Sequence, residues 1–145
     1  MIKQFENLTD EERELLLKAP ALVSVLASSS DKGIDPVNKR DAFWLAHLKT
    51  FTAMPVLLPY YHEVEKIFAE EFEDAARTYE PFDEPKREAL QAALKNVSKV
   101  MAKLDPSYAQ ALQQSLQRFA HHIRRSTHSV FQDFLFPIPI PGLSA

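Results

Sequence analysis

Apolar residues recur along this chain at steps of three, four and seven, the period of one face of an α-helix. The clearest stripe is Tyr108, Leu112, Leu116, Phe119, Ile123, Val130 and Phe134. It predicts one long helix from Asp105 to Phe136. Asp105-Pro106 opens it, with a carboxylate to cap free N–H groups and a proline suited to the first helical position. Burial of such side chains contributes roughly 1.5–3 kcal/mol each, so this helix is expected to form a wall of the core. Its other side carries Arg118, His121, Arg125 and His128, with Arg124 beside them.

Four more helices are predicted upstream. Thr9 and Glu12 have the spacing of a capping box, so the first helix begins at Asp10 and continues through Leu15, Leu16, Leu22, Val23 and Leu26 to about Ser28. Its nearly continuous apolar character implies burial on several sides. Pro20 is expected to kink or divide it, at a cost of about 3 kcal/mol unless neighbours compensate. Ser28 to Ile34 reads as a turn, and Asp35-Pro36 starts a second helix whose apolar face is expected to be Phe43, Trp44, Leu48 and Phe51. Pro55 and Pro59 interrupt the chain. A third helix from Tyr60 to about Thr78 turns Val64, Ile67, Phe68, Phe72 and Ala75 inward, and Tyr79 to Asp83 is a loop. A fourth, from Glu84-Pro85 to Leu104, shows Leu90, Leu94, Val97 and Met101 on one side. Beyond the fifth helix, prolines alternate with Ile138 and Ile140, which forbids helix and favours an extended polyproline-like arm.

The expected fold is therefore all-α: a single-domain bundle of about five helices over residues 1–136, with a proline-rich C-terminal arm at 137–145. A length of 145 residues with 46% hydrophobic positions supports one core. Two glycines leave few sites for tight β-turns. The absence of cysteine excludes disulfides, thiolate metal sites and cysteine nucleophiles. No apolar run reaches the roughly 18 residues that a membrane span requires. Lys3, Gln4, Glu6 and Asn7 interrupt any signal-like segment, so a cytoplasmic location is the default expectation.

A net charge of −3 argues against a general nucleic-acid binder. The charge is uneven, however. Glu63 to Glu88 is acidic, and Lys95, Lys99, Lys103, Arg118, Arg124 and Arg125 make the following part basic. Two helices of opposite sign packed side by side are the expectation.

Arg13-Glu14 and Leu16 reappear as Arg87-Glu88 and Leu90, and Ala19, Val23 and Ser24 as Ala93, Val97 and Ser98, at one constant shift. Two stacked helical hairpins would produce such an echo. With Asp-Pro at both Asp35 and Asp105, and with Asp31, Gly33 and Asp35 in the turn from Leu26 to Pro36, the chain resembles the TerB-like tellurite-resistance family. The resemblance implies a small helical, bacterial protein with a stress-response role and a divalent-cation site at Asp31 and Asp35. Lys32, Asn38 and Lys39 depart from that pattern, and the second unit lacks its glycine.

Candidate chemistry is sparse. His62 and Glu65 share a helix face, and His47 and His122 can reach the same site only across the bundle. A divalent metal held by His47, His62, Glu65 and His122 would make a metal-binding protein or a metal-dependent enzyme, the alternative reading, although a catalytic zinc site typically takes three protein ligands. Neither Glu-x-x-His nor His-Glu-x-x-His is present, nor is Gly-x-Ser-x-Gly or a phosphate-cradling glycine loop, so enzymatic activity has no positive support and no cofactor is expected. The stripe Arg118, His121, Arg124, Arg125 and His128 is a candidate for anions or a partner. Phe134, Phe136, Ile138 and Ile140 in the arm are apolar groups that need cover, from their own bundle or from a second copy in a homodimer. The leading expectation is a cytoplasmic, non-enzymatic helical protein that acts by binding or assembly.

Overall fold

The computed structural model describes residues 2–30 and 33–123. Five helices form: α1 (Asp10–Ser28), α2 (Pro36–Thr52), α3 (Leu58–Tyr79), α4 (Glu84–Met101) and α5 (Pro106–Ile123). Single 3₁₀ turns lie at Lys3–Phe5 and Pro55–Leu57. The turn after α1 closes as a two-rung antiparallel ribbon, β1 (Ser29–Ser30) with β2 (Gly33–Ile34), pairing Ser29 with Ile34 and Ser30 with Gly33. Gly33 has φ +98°, which a residue with a Cβ adopts only under strain. The expected continuation of α5 to Phe136 and the arm at 137–145 lie outside the described residues.

Side-chain caps fix the starts of α1, α2, α4 and α5. The Thr9 hydroxyl accepts from the Glu12 N–H at 3.1 Å, and the Glu12 carboxylate accepts from the Thr9 N–H at 3.0 Å. Asp35 accepts from the N–H groups of Val37 and Asn38 at 2.8 and 3.2 Å, Asp83 from Lys86 at 3.1 Å, and Asp105 from Tyr108 at 3.2 Å. The helix α4 stops at Met101, short of the expected Leu104. There the N–H groups of Lys103 and Leu104 turn to the carbonyls of Val100 and Met101, each at 3.0 Å, and tighten the chain before Asp105.

α1 is the hub. It packs against all four other helices, most extensively α3, and Leu16, Ala19 and the whole stretch Pro20 to Ser28 are buried. The principal neighbour of both α4 and α5 is α1 rather than each other, which differs from two stacked hairpins. An element apolar on every side minimises exposed area at the centre of a bundle, and α1 is that element.

Pro20 does not divide α1, which continues through it as one helix. Proline lacks the N–H that would serve the Leu16 carbonyl one turn back. The Tyr60 hydroxyl from α3 donates to that carbonyl at 2.6 Å, with both residues fully buried. One turn on, the Ser24 hydroxyl donates to the Pro20 carbonyl at 2.6 Å.

Aromatic rings run through the core. Phe5 meets Tyr60 and Tyr108 edge-on, Tyr60 meets Tyr61, and Tyr61 lies parallel to Phe119. Phe119, Phe68, Phe43 and Phe72 continue the series toward α2 at centroid separations of 5.3–6.1 Å. Among the described residues, no helix is long and apolar enough to cross a membrane.

Candidate functional site

The side chains least explained by folding lie on α2 and its exit. Only Ala42, Ala46 and Thr50 of α2 are buried, one turn apart, and their small size lets the backbone sit close to the bundle. Phe43 follows on the flank, against Phe68 and Phe72. Trp44 and Phe51 lie about half a turn from the Ala42 to Thr50 stripe. They are therefore exposed, Trp44 by 62% and Phe51 by 68%, where an inward apolar face was expected. Val37, Met54 and Val56 are exposed as well.

His47 stands between the two large rings, 6.1 Å from Trp44 and 5.3 Å from Phe51, edge-on to the latter. Its Nδ1 is hydrogen-bonded to the Glu65 carboxylate of α3, so His47 and Glu65 are brought together as the sequence suggested. His62 is turned elsewhere: its Nε2 faces the Thr50 carbonyl at 3.0 Å. His122 lies on the exposed side of the last turn of α5. Among the described residues, no group of three or more His, Cys, Asp or Glu side chains is placed to hold a metal ion. Asp35 spends its carboxylate capping α2, and Asp31 lies outside the described residues.

The acidic side chains of α3 find their cations on α1, on α2 and on α3 itself. Lys18 reaches Glu71 at 3.9 Å, Lys39 reaches Glu73 at 2.5 Å, Lys66 reaches Glu63 at 2.8 Å, and Arg77 pairs with Asp74. Lys39 also lies over the rings of Phe43 and Phe72. The basic face of α5 was expected to pair with this acidic helix. Of that face, Arg118 and His121 are exposed, while Arg124, Arg125 and His128 lie outside the described residues, as do Phe134, Phe136, Ile138 and Ile140. Arg118 instead lines a cleft with Lys49, a residue no sequence pattern singled out.

Three buried tyrosines have distinct surroundings. Burial holds the phenols of Tyr60, Tyr61 and Tyr108 above their ordinary range. Tyr60 donates to Leu16, and Tyr61 shares a hydrogen bond with Ser115 at 2.5 Å. The Tyr108 hydroxyl is buried without a hydrogen-bond partner among the described residues. No family model, curated protein or solved structure matches the chain.

Proposed function

We propose that this chain is a non-enzymatic helical-bundle protein that acts by contact, and that the outer face of α2 receives another stretch of polypeptide. One observation carries the reading: Trp44 and Phe51, with Val37, Met54 and Val56 around them, form an exposed apolar surface on an otherwise well-buried bundle. Isolated apolar residues on a surface are ordinary, but a tryptophan and a phenylalanine aligned two turns apart on one helix are typical anchors of an interface. The occupant we name is the proline-rich arm at 137–145, because proline-spaced apolar segments dock on exposed aromatic rings at low entropic cost. Intramolecular docking and a homodimer in which arms are exchanged are the two ways to fill the face. A TerB-like stress-response role and a cytoplasmic location rest on sequence pattern alone. The metal-dependent alternative has the His47–Glu65 contact in its favour, and that pair supplies fewer ligands than a catalytic metal typically takes.

Trp44 is the single tryptophan, so its fluorescence reports on this face. In the full chain, acrylamide should quench Trp44 weakly, and Ile138→Asp with Ile140→Asp should raise quenching toward that of a free indole with the helical circular dichroism unchanged. A light-scattering mass that falls from dimer to monomer in the same variant assigns the arm to a second copy. Full quenching of Trp44 in the unaltered chain removes the arm as occupant. A photo-crosslinker at Phe51 that forms no polypeptide adduct, its own arm included, removes the contact reading.

A further inference from the structure

A second feature, adjoining the aromatic face at Met54, lies where the end of α2 meets the middle of α5. Lys49, Thr52, Ala53, Met54 and Leu57 form one wall of a cleft of about 90 Å³, and Ala111, Gln114, Ser115 and Arg118 form the other. That space holds several water molecules, or one small oxyanion. We propose that this cleft binds a tetrahedral oxyanion, a phosphate group or sulfate, between Lys49 and Arg118.

The charges carry the argument. No carboxylate lines the cleft among the described residues, while Glu71, Glu73, Glu63, Asp74 and Glu12 are paired with Lys18, Lys39, Lys66, Arg77 and Lys103. Among the described residues, the charged group that acts on Lys49 is Arg118, another cation. Partial burial, and then the guanidinium, hold the Lys49 ammonium below its usual range. The last carbonyls of α2 attract a cation and account for Lys49 being there. They do not account for a second cation brought to it from α5. Two like charges at a half-desolvated cleft are unfavourable until an anion lies between them, and a guanidinium with an ammonium is a common pair for phosphate oxygens.

Neutral donors complete the site. Ser115 is buried at the floor and hydrogen-bonded to the Tyr61 hydroxyl, which burial keeps protonated. Either hydroxyl can donate in that pair; when Tyr61 does, the serine proton is free to turn to the cleft, and the exposed Gln114 adds an amide.

Calorimetric titration of the full chain with inorganic phosphate, sulfate and glycerol phosphate, against chloride at equal ionic strength, tests this. Saturable one-to-one binding of phosphate and sulfate is expected. It should weaken at least tenfold in Lys49→Gln and in Arg118→Gln, and be largely retained in Lys49→Arg and Arg118→Lys. Tighter binding of glycerol phosphate than of inorganic phosphate assigns the site to a phosphate monoester, and the reverse assigns it to the free anion. No saturable binding by the unaltered chain overturns the proposal. So does binding that survives in the Lys49→Gln, Arg118→Gln double variant, or an effect that chloride reproduces. The charge-conserving variants and circular dichroism separate loss of binding from loss of fold.

Discussion

Tyr60→Phe removes one oxygen atom, and its cost should depend on whether residue 20 is proline. In the native chain the Tyr60 hydroxyl is the donor to the Leu16 carbonyl at 2.6 Å, in a place where water does not reach. Deleting it leaves a buried acceptor unpaired, which costs roughly 1–3 kcal/mol. For a chain of 145 residues, melting falls by about 3 °C per kcal/mol, so a drop of roughly 3–9 °C is expected. Pro20→Ala supplies the missing N–H at the helical position for Leu16. In that background Tyr60→Phe should cost about 1–2 kcal/mol less, a coupling within the range for residues in one hydrogen-bond network. Urea unfolding of the four chains, extrapolated to water, measures the cycle. If the cost of Tyr60→Phe is the same in both backgrounds to within about 0.5 kcal/mol, the hydroxyl is not standing in for the absent amide.

Tyr108→Phe should be neutral or stabilising by up to about 1 kcal/mol in the same assay, because the hydroxyl it removes has no partner among the described residues; a cost above about 1 kcal/mol would point to a bound water there. The buried phenols also make a statement about alkaline pH. Their folded pKa values lie above the unfolded value near 10, so above that pH the native state holds more protons and stability falls, by about 1.4 kcal/mol per pH unit for each tyrosine. Half-buried Tyr79 should ionise first, and absorbance at 295 nm from the other three should rise together with loss of helical circular dichroism. Phenolate absorbance from all four tyrosines in a chain that is still helical would contradict the packing described.

α3, which begins at Leu58 rather than Tyr60, has no side-chain cap. The starts of α1, α2, α4 and α5 were legible because their determinants are local: a carboxylate or hydroxyl and the amides two or three residues on. Pro20 was not, because its compensation arrives from Tyr60, 44 positions away. The face of α2 was misread for a different reason. Helical period groups residues by side without saying which side is inward, and Trp44 with Phe51 looked the more apolar choice. Close approach of the backbone decided for Ala42, Ala46 and Thr50 instead. Likewise, His47, His62 and Glu65 were sensible candidates, but which of them meet depends on the rotation of α2 against α3, which spacing does not encode. Lys49 was missed outright. A lone lysine carries no pattern, and its interest comes from Arg118 across the cleft.

The central place of α1 sets how the molecule comes apart. A peripheral helix that lifts off uncovers one flank of α1, but the amides from Leu22 to Leu26 stay shielded by the helices that remain. Their exchange with solvent deuterium therefore reports global opening, whereas amides of α2, whose buried stripe is made only of alanines and a threonine, exchange through cheaper partial excursions.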